Sequence, residues 1–387
     1  MKFRAICPPT ALLTAALLWQ GCGNQADPDA DAQGSASPVF VTGIFHKSAA
    51  IQAHLDLKAA NESAFAKAIR EKYPDQQKLL EDMPADAQEF FTAIDVKPED
   101  FSEFAFVLSS LDFARDGLDE LPADVSFAVA FKVDAEVDIN KVLDLAAAQA
   151  DEEGQAELQK VRDGKTEFKG ASLYQIPVPD MGDGRVLFVA HKLYDGGTFV
   201  FVGDESTVKN ALSSGKPGKP SEGSGIQARL LKQKIGWLAI ELPDGLLDQF
   251  KEGAAENPFL KGVANLLSQI NAVALSGNVT DSFPLQARIG FAGETAEDSA
   301  SQAAAAINAL LGVLRLGAVQ TPEAFPPFFN SLTVTAEGPD LVTNLTLTLA
   351  DVDKIFADLV ADLEKAADFE LEEVEVEYEE VFTNPRE

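Results

Sequence analysis

The chain contains two stretches in which apolar and polar residues alternate, Ala50-Ile-Gln-Ala-His-Leu-Asp-Leu57 and Gly236-Trp-Leu-Ala-Ile-Glu-Leu-Pro243. A period of two residues is typical of a β-strand that is buried on one side. Each stretch is followed by helical sequence and then by paired strand patterns. The two stretches therefore open two halves of the chain that share one order of elements, as internal repeats do.

The first half is predicted to run strand, helix, strand pair, helix, strand group, helix. After the opening strand, its segments are a helical region Asn61–Ile94 broken at Pro74 and Pro84, strands Phe104–Leu111 and Val125–Val133, helix Ile139–Ala150, strands Ser172–Val178, Val186–His191 and Thr198–Val202, and helix Asp204–Leu212. Short turns between neighbouring strands imply antiparallel pairing.

The second half repeats this order. Its segments are a helical region Asp244–Ile270, strands Ala272–Val279 and Leu285–Phe291, helix Thr295–Leu316, strands Ser331–Ala336 and Val342–Leu349, and helix Asp351–Ala367. Residue identity between the halves is poor, so the predicted duplication depends on the order of elements alone.

A Gly/Pro/Ser-rich stretch, residues 213–225, separates the two halves and is predicted to be a linker. Amphipathic helices between hairpins imply a sheet with helices packed against it. The fold class expected is therefore α+β, with two similar domains at residues 39–212 and 226–369. Each is predicted to be an antiparallel sheet of hairpins with its helices packed on one face.

The N-terminus has the pattern of an export signal. Lys2 and Arg4 precede a nine-residue apolar stretch, Ala11–Trp19. A short positive region followed by such a stretch is typical of a signal peptide, and it is too short to span a bilayer. Residues 1–21 are predicted to be removed, unless the chain is cleaved after Ala32 and released.

The next residues, Leu18-Trp-Gln-Gly-Cys-Gly-Asn24, resemble the processing site of bacterial lipoproteins, with Trp19 where the family pattern has an aliphatic residue. The resemblance implies that Cys22 is lipid-modified and that residues 22–38 tether the body to a membrane. Gly23 then implies the outer membrane. The body also resembles uncharacterised secreted proteins and lipoproteins of bacteria in which hairpin-helix units repeat, a likeness that implies no activity.

Composition excludes several classes of function. The chain has 31 basic and 62 acidic residues, a net charge of −31, which disfavours nucleic acid as a partner. Three His and two Cys are too few for a Cys/His zinc cluster. Because Cys7 lies in the signal, acylation of Cys22 leaves no thiol for catalysis. We therefore expect no metal and no cofactor.

The C-terminal residues 370–387 form an acidic segment. Seven of the eleven residues in Glu370–Glu380 are Glu, and they alternate with Val374, Val376 and Tyr378. One reading is a solvated tail or a charged edge strand, which deters aggregation. The other is a strip that binds cations or a basic partner, formed by Glu373, Glu375, Glu377 and Glu379.

Motifs for catalysis are absent from the sequence. His46, His54 and His191 have no metal-binding spacing, and no nucleotide or serine-hydrolase motif occurs. We expect a membrane-anchored lipoprotein with a non-enzymatic binding, scaffolding or envelope role. One alternative is a carrier or sensor of an apolar ligand in a cavity lined by some of the 26 Phe, for example within Ala324–Phe329. Another is a hydrolase with an unmarked carboxylate pair.

Overall fold

The computed structural model describes residues 40–45, 49–72, 91–109, 126–177, 186–214, 235–242, 266–320 and 327–354. The predicted signal, the lipidation site Cys22, the tether and the acidic strip Glu373, Glu375, Glu377 and Glu379 lie outside the described residues. The linker prediction lies outside them from residue 215 onward.

The described strands form one antiparallel sheet. They are β1 Ile51–Asp56, β2 Phe101–Leu108, β3 Phe127–Val133, β4 Thr166–Phe168, β5 Ala171–Pro177, β6 Val186–Tyr194, β7 Gly197–Gly203, β8 Gly236–Glu241, β9 Ile270–Gly277, β10 Phe283–Phe291, β11 Thr333–Glu337 and β12 Asp340–Leu347. Their order across the twelve-stranded sheet is β11-β12-β10-β9-β8-β1-β2-β3-β7-β6-β5-β4.

Six helices and three short 3-10 turns have their bounds given by the described residues. They are α1 Leu57–Glu62, α2 Ala64–Lys72, α3 Ile139–Gln149, α4 Glu152–Asp163, α5 Glu205–Ser214 and α6 Ala296–Gln320, with 3-10 turns at Val41–Ile44, Pro98–Asp100 and Pro327–Asn330. Carboxylates of Asp56, Asp138 and Asp151 accept backbone N–H groups at the starts of α1, α3 and α4. Such N-caps satisfy donors that the helix itself leaves open.

The α+β class and the antiparallel pairing are confirmed, but the strands of both halves belong to a single sheet. β1 pairs on one side with β2 and on the other with β8. The two strands that open the halves are thus neighbours at the centre. Ile51 faces Ile240 and Leu55 faces Gly236 across this seam.

The prediction that helices cover one face is wrong for the first half. Along β3, Ala128 and Ala130 belong to a first core cluster with Val208 and Leu212 of α5, whereas Val129 and Phe131 belong to a second with Leu143 of α3. Successive residues of a strand point to opposite faces. Helices therefore cover both faces, because β3 is apolar on both sides.

Two further elements were not predicted. Asp151 caps α4, which begins at Glu152, and β4 adds a short edge strand. In the second half a third core cluster joins Ala300, Ala304 and Leu311 of α6 to the sheet. Among the described helices α6 alone is long and apolar enough to cross a membrane, over Ala296–Gly317, yet its inner face packs on strands.

Candidate functional site

Charged side chains meet at one end of the first half of the sheet. Asp56 of β1 lies opposite Glu103 of β2, which lies opposite Lys132 of β3. Lys132 and Lys192 of β6 both face Phe199 of β7. We call Asp56, Glu103, Lys132 and Lys192 the charged row.

The position of the charged row follows from the sequence of its strands. Two residues further into the sheet, β2, β3 and β6 carry Ala105, Ala130 and Ala190, which are fully buried in the first cluster. Side chains two apart on a strand share a face. The charged row therefore lies on the same face as the apolar first cluster, at the end of the strands where this face meets solvent.

Glu103 is the centre of this network. Lys132 Nζ lies 3.2 Å from its Oε1 and His54 Nε2 lies 3.7 Å from its Oε2. The His54 imidazole and the Lys132 ammonium outweigh burial and hold the pKa of Glu103 below its usual range. Because nearby positive charge favours the carboxylate, Glu103 is ionised at neutral pH.

Its neighbour Asp56 is shifted the other way. Burial raises the pKa of Asp56, and the charge of Glu103 adds to this, although the carboxylate accepts the Ala59 backbone N–H at 2.8 Å. Neighbouring carboxylates with pKa values moved apart are the pattern of an acid–base pair. This is the described arrangement nearest to the pair that the hydrolase alternative requires, but Asp56 is engaged as the N-cap of α1.

A second set of bonds centres on Asp134, just after β3. Its Oδ1 accepts from Ser102 Oγ and Tyr194 Oη, each at 3.0 Å, and its Oδ2 accepts from Lys58 Nζ at 2.9 Å. Although burial opposes them, these bonds lower the pKa of Asp134. Burial and the Asp134 charge raise the pKa of Tyr194, so its hydroxyl stays protonated.

Aromatic and basic side chains complete the site. Lys132 Nζ lies 5.8 Å above the centroid of the Tyr194 ring, a cation–π contact, and that ring packs on Phe199 at 4.8 Å. Lys192 lies at the far end of the charged row, where burial lowers its pKa. The arrangement holds fixed ion pairs, and within the described ranges it contains no group of three or more His, Cys, Asp or Glu suited to a metal.

The second half carries a different polar group on the same face. Arg288 of β10 lies 2.8 Å from Glu337 and 3.4 Å from Asp340, and its Nε donates to Gln286 at 2.9 Å. Gln286 in turn donates to Asn344 at 2.9 Å. We call these five residues the polar ladder. Arg288 is 8% exposed and Asp340 is fully buried.

The structure places only some of the residues singled out in the sequence. His54 joins the network at Glu103, whereas His191 lies on the opposite face, where burial lowers its pKa and keeps it neutral. His46 lies outside the described residues. Of the segment proposed to line a cavity, Phe328 and Phe329 stack at 6.0 Å, and Phe329 packs on the third cluster.

The charged row and the polar ladder were missed from sequence. Carboxylates and lysines are abundant in this chain, and only strand register brings Asp56, Glu103 and Lys132 side by side. A usable signal was the charged residue that ends each alternating strand, as in Phe131-Lys-Val-Asp134. Comparison with known families, curated proteins and solved structures finds no match to the chain.

Proposed function

We propose that this chain is an exported bacterial lipoprotein, anchored by an acylated Cys22, whose α+β body is a non-enzymatic binding or scaffolding element of the cell envelope. Lys2, Arg4 and the apolar stretch Ala11–Trp19 support export. Cys22 supports the anchor, because several acyl chains on one Cys hold a protein stably in a bilayer. The polar residues 23–38 then hold the body off an outer membrane.

The observation that best supports the scaffolding role is that the sheet is continuous across its centre. Five consecutive residue pairs join β1 to β8, so the halves are connected by a backbone ladder. Twelve strands at about 4.8 Å spacing span roughly 50 Å. A wide sheet with a hydrogen-bonded centre suits a rigid platform better than a clamp that closes on a ligand between two hinged domains.

We further infer that the body arose by duplication into two similar halves, residues 39–212 and 226–369. Read outward from the centre, the second half is ordered β8-β9-β10-β12-β11, and the first half has the matching order β1-β2-β3-β7-β6, which β5 and β4 extend to the edge of the sheet. Each opens with a strand and continues through a strand pair, a helical segment and a final hairpin, before which the first half carries one extra hairpin, β4–β5. This shared order supports one ancestral unit whose two copies joined through their first strands.

The ion pairs support a role without covalent chemistry. His54 and Lys132 hold Glu103 ionised, and Lys58 does the same for Asp134, so neither carboxylate is suited to act as a general acid near neutral pH. These pairs connect the ends of β1, β2 and β3 to α1. Their geometry is that of ion pairs that hold neighbouring strand ends together.

The anchor is tested with Cys22→Ser, measured by membrane fractionation and intact mass. We expect the variant to leave the membrane fraction and to lose the mass of its acyl chains. Cys7→Ser is the matched control, since a residue inside a removed signal should change neither result. Retention of Cys22→Ser in membranes, or a wild-type mass that lacks lipid, contradicts the lipoprotein assignment.

The platform is tested by hydrogen exchange. We expect the amides that pair β1 with β8 to exchange as slowly as those that pair β2 with β3. Fast exchange confined to the paired amides of β1 and β8 would indicate a hinge between the halves. That result would contradict the scaffolding role and favour a two-domain clamp.

A further inference from the structure

The outer face of α6 is apolar although it lies on the outside of the described fold. Leu310, Val313 and Leu316 are 59%, 66% and 69% exposed. The inner face of the same helix, which includes Ala304 and Leu311, packs in the third cluster. A helix that is apolar on both sides is normally buried on both. Exposed apolar surface of this kind marks a site of interaction.

The exposed residues have the spacing of a helix–helix seam. Ala306, Ala309, Val313 and Leu316 are all exposed and follow one another at intervals of three, four and three residues. This is the heptad spacing by which one helix packs along another. We call these four residues the outer seam.

We propose that the outer seam is a self-association surface, on which α6 of a second copy packs antiparallel across a twofold axis. With the axis level with Leu311, Ala309 faces Val313 of the second copy and Ala306 faces its Leu316. Each small residue thus lies opposite a larger one. A twofold interface uses the same patch on both subunits and must be self-complementary in this way.

Charge favours a second copy as the occupant. The chain has a net charge of −31, yet residues 299–314 include no charged side chain. Two copies can therefore meet along α6 without placing like charges opposite one another, which their acidic surfaces elsewhere would do.

A membrane surface fits this face less well. Helices that lie in a bilayer interface carry several Lys or Arg on their polar side. Arg315 is the single basic residue of α6, and it donates to the Leu332 backbone oxygen. The charge pattern of α6 is that of a helix covered by protein.

The size of the surface sets the expected affinity. At 1.5 Å per residue the uncharged stretch is about 24 Å long. A contact one helix wide buries less than the roughly 1,200–2,000 Å² of a standard interface. We therefore expect a dimer that dissociates in the micromolar range. This inference does not depend on the lipid anchor.

The test is sedimentation equilibrium of the full chain in nonionic detergent across the micromolar range. The wild type is expected to pass from monomer to dimer mass. The double variant Ala309→Glu, Val313→Glu should bind at least about tenfold more weakly, because it places carboxylates of the two copies opposite one another on both sides of the axis. Leu193→Glu, at a 49% exposed position on β6, is the matched control and should dimerise like the wild type. Circular dichroism checks that all variants fold.

A cross-link tests the register. In this register Ala309 lies opposite Val313 of the second copy, so an equimolar mixture of Ala309→Cys and Val313→Cys chains, each with its own cysteines replaced by Ser, should form a disulfide between a 309 peptide and a 313 peptide. Ser301→Cys, exposed but off the seam, should not. A wild type that stays monomeric, a double variant that still dimerises, or a monomer that floats with phosphatidylcholine vesicles through the outer seam overturns the proposal.

Discussion

The two halves of the sheet share an order of strands but are covered by different helices. In the first half, Asp151 caps a new helix after α3, so two short helices, α3 and α4, cover one face while α5 covers the other. In the second half an Ala-rich run forms one 25-residue helix, α6. The same strand order is compatible with two short helices or with one long helix over a face. The length of each helix is set by its own caps and by its own apolar periodicity.

The halves also differ in how they hold charge. The ion pair of Lys132 and Glu103 lies at strand ends, with both side chains about 30% exposed. Arg288 lies within β10 and its side chain is 10% exposed. A buried ion pair costs far more than a surface pair when one partner is removed. The two halves should therefore respond very differently to the loss of one basic residue.

The largest effect is expected from Phe201→Ala in the first half. Phe201 is fully buried in the first cluster, which also includes Trp237 and Ala274 from the second half. Removing a buried ring should lower the free energy of unfolding by about 4 kcal/mol. Because this cluster crosses the β1–β8 seam, both halves should lose hydrogen-exchange protection together. Urea unfolding and exchange of β3 and β10 amides measure the two effects.

Phe328→Ala is the control, since Phe328 is half-buried at the far side of the second half. Phe328→Ala should lower the free energy of unfolding clearly less than Phe201→Ala does. If Phe201→Ala lowers hydrogen-exchange protection in β3 but not in β10, the two halves do not unfold as one unit, and two independent domains are favoured.

The second prediction compares the two ionic groups. Arg288→Ala leaves the carboxylate of the fully buried Asp340 without its guanidinium and should cost about 3 kcal/mol. Lys132→Ala should cost about 1 kcal/mol or less, since Glu103 remains accessible to water. Urea midpoints of both variants at neutral pH measure the difference. Equal losses would mean that the polar ladder is no more buried than the charged row.

All the described strands except the short β4 were predictable, because the period of two residues that marks a strand is local. The alternating stretch that became β1, and its counterpart β8, require only neighbouring residues to be recognised. The joining of β1 to β8 was not predictable, since the pairing of two strands nearly 200 residues apart leaves no mark in either. The same limit applies to helices on both faces, although the run Phe127-Ala-Val-Ala-Phe131, apolar at every position, was a signal of burial on both sides.

The candidate site was harder to predict than the fold. His54, Glu103 and Lys132 come from three strands, and each looked like an ordinary surface residue in its own segment. Register brings them together, and a shift of one residue would turn each to the other face. The outer seam of α6 was hidden for a different reason: periodicity marks apolar faces but does not distinguish the face that meets the sheet from the one that does not.

The smallest effect concerns pH and the charged row. The pKa of Glu103 in the folded protein lies below its ordinary value of 4.5, so its stabilising contribution is complete above that value and is lost as the pH falls through the lowered pKa. Glu103→Gln should therefore lower the free energy of unfolding by about 1 kcal/mol at pH 7 and by progressively less as the pH falls below 4.5, measured as urea midpoints across that pH range.

Asp56→Asn is the matched variant with the opposite sign. Burial raises the pKa of Asp56, so the ionised carboxylate destabilises the fold above that raised pKa, and the penalty is relieved as the pH falls. Asn keeps the acceptor for the Ala59 N–H and removes the charge. It should leave stability at pH 7 unchanged or slightly higher. If Asp56→Asn instead destabilises the protein at pH 7 as much as Glu103→Gln does, the two carboxylates share one environment, and the charged row lacks the asymmetry that its geometry assigns to it.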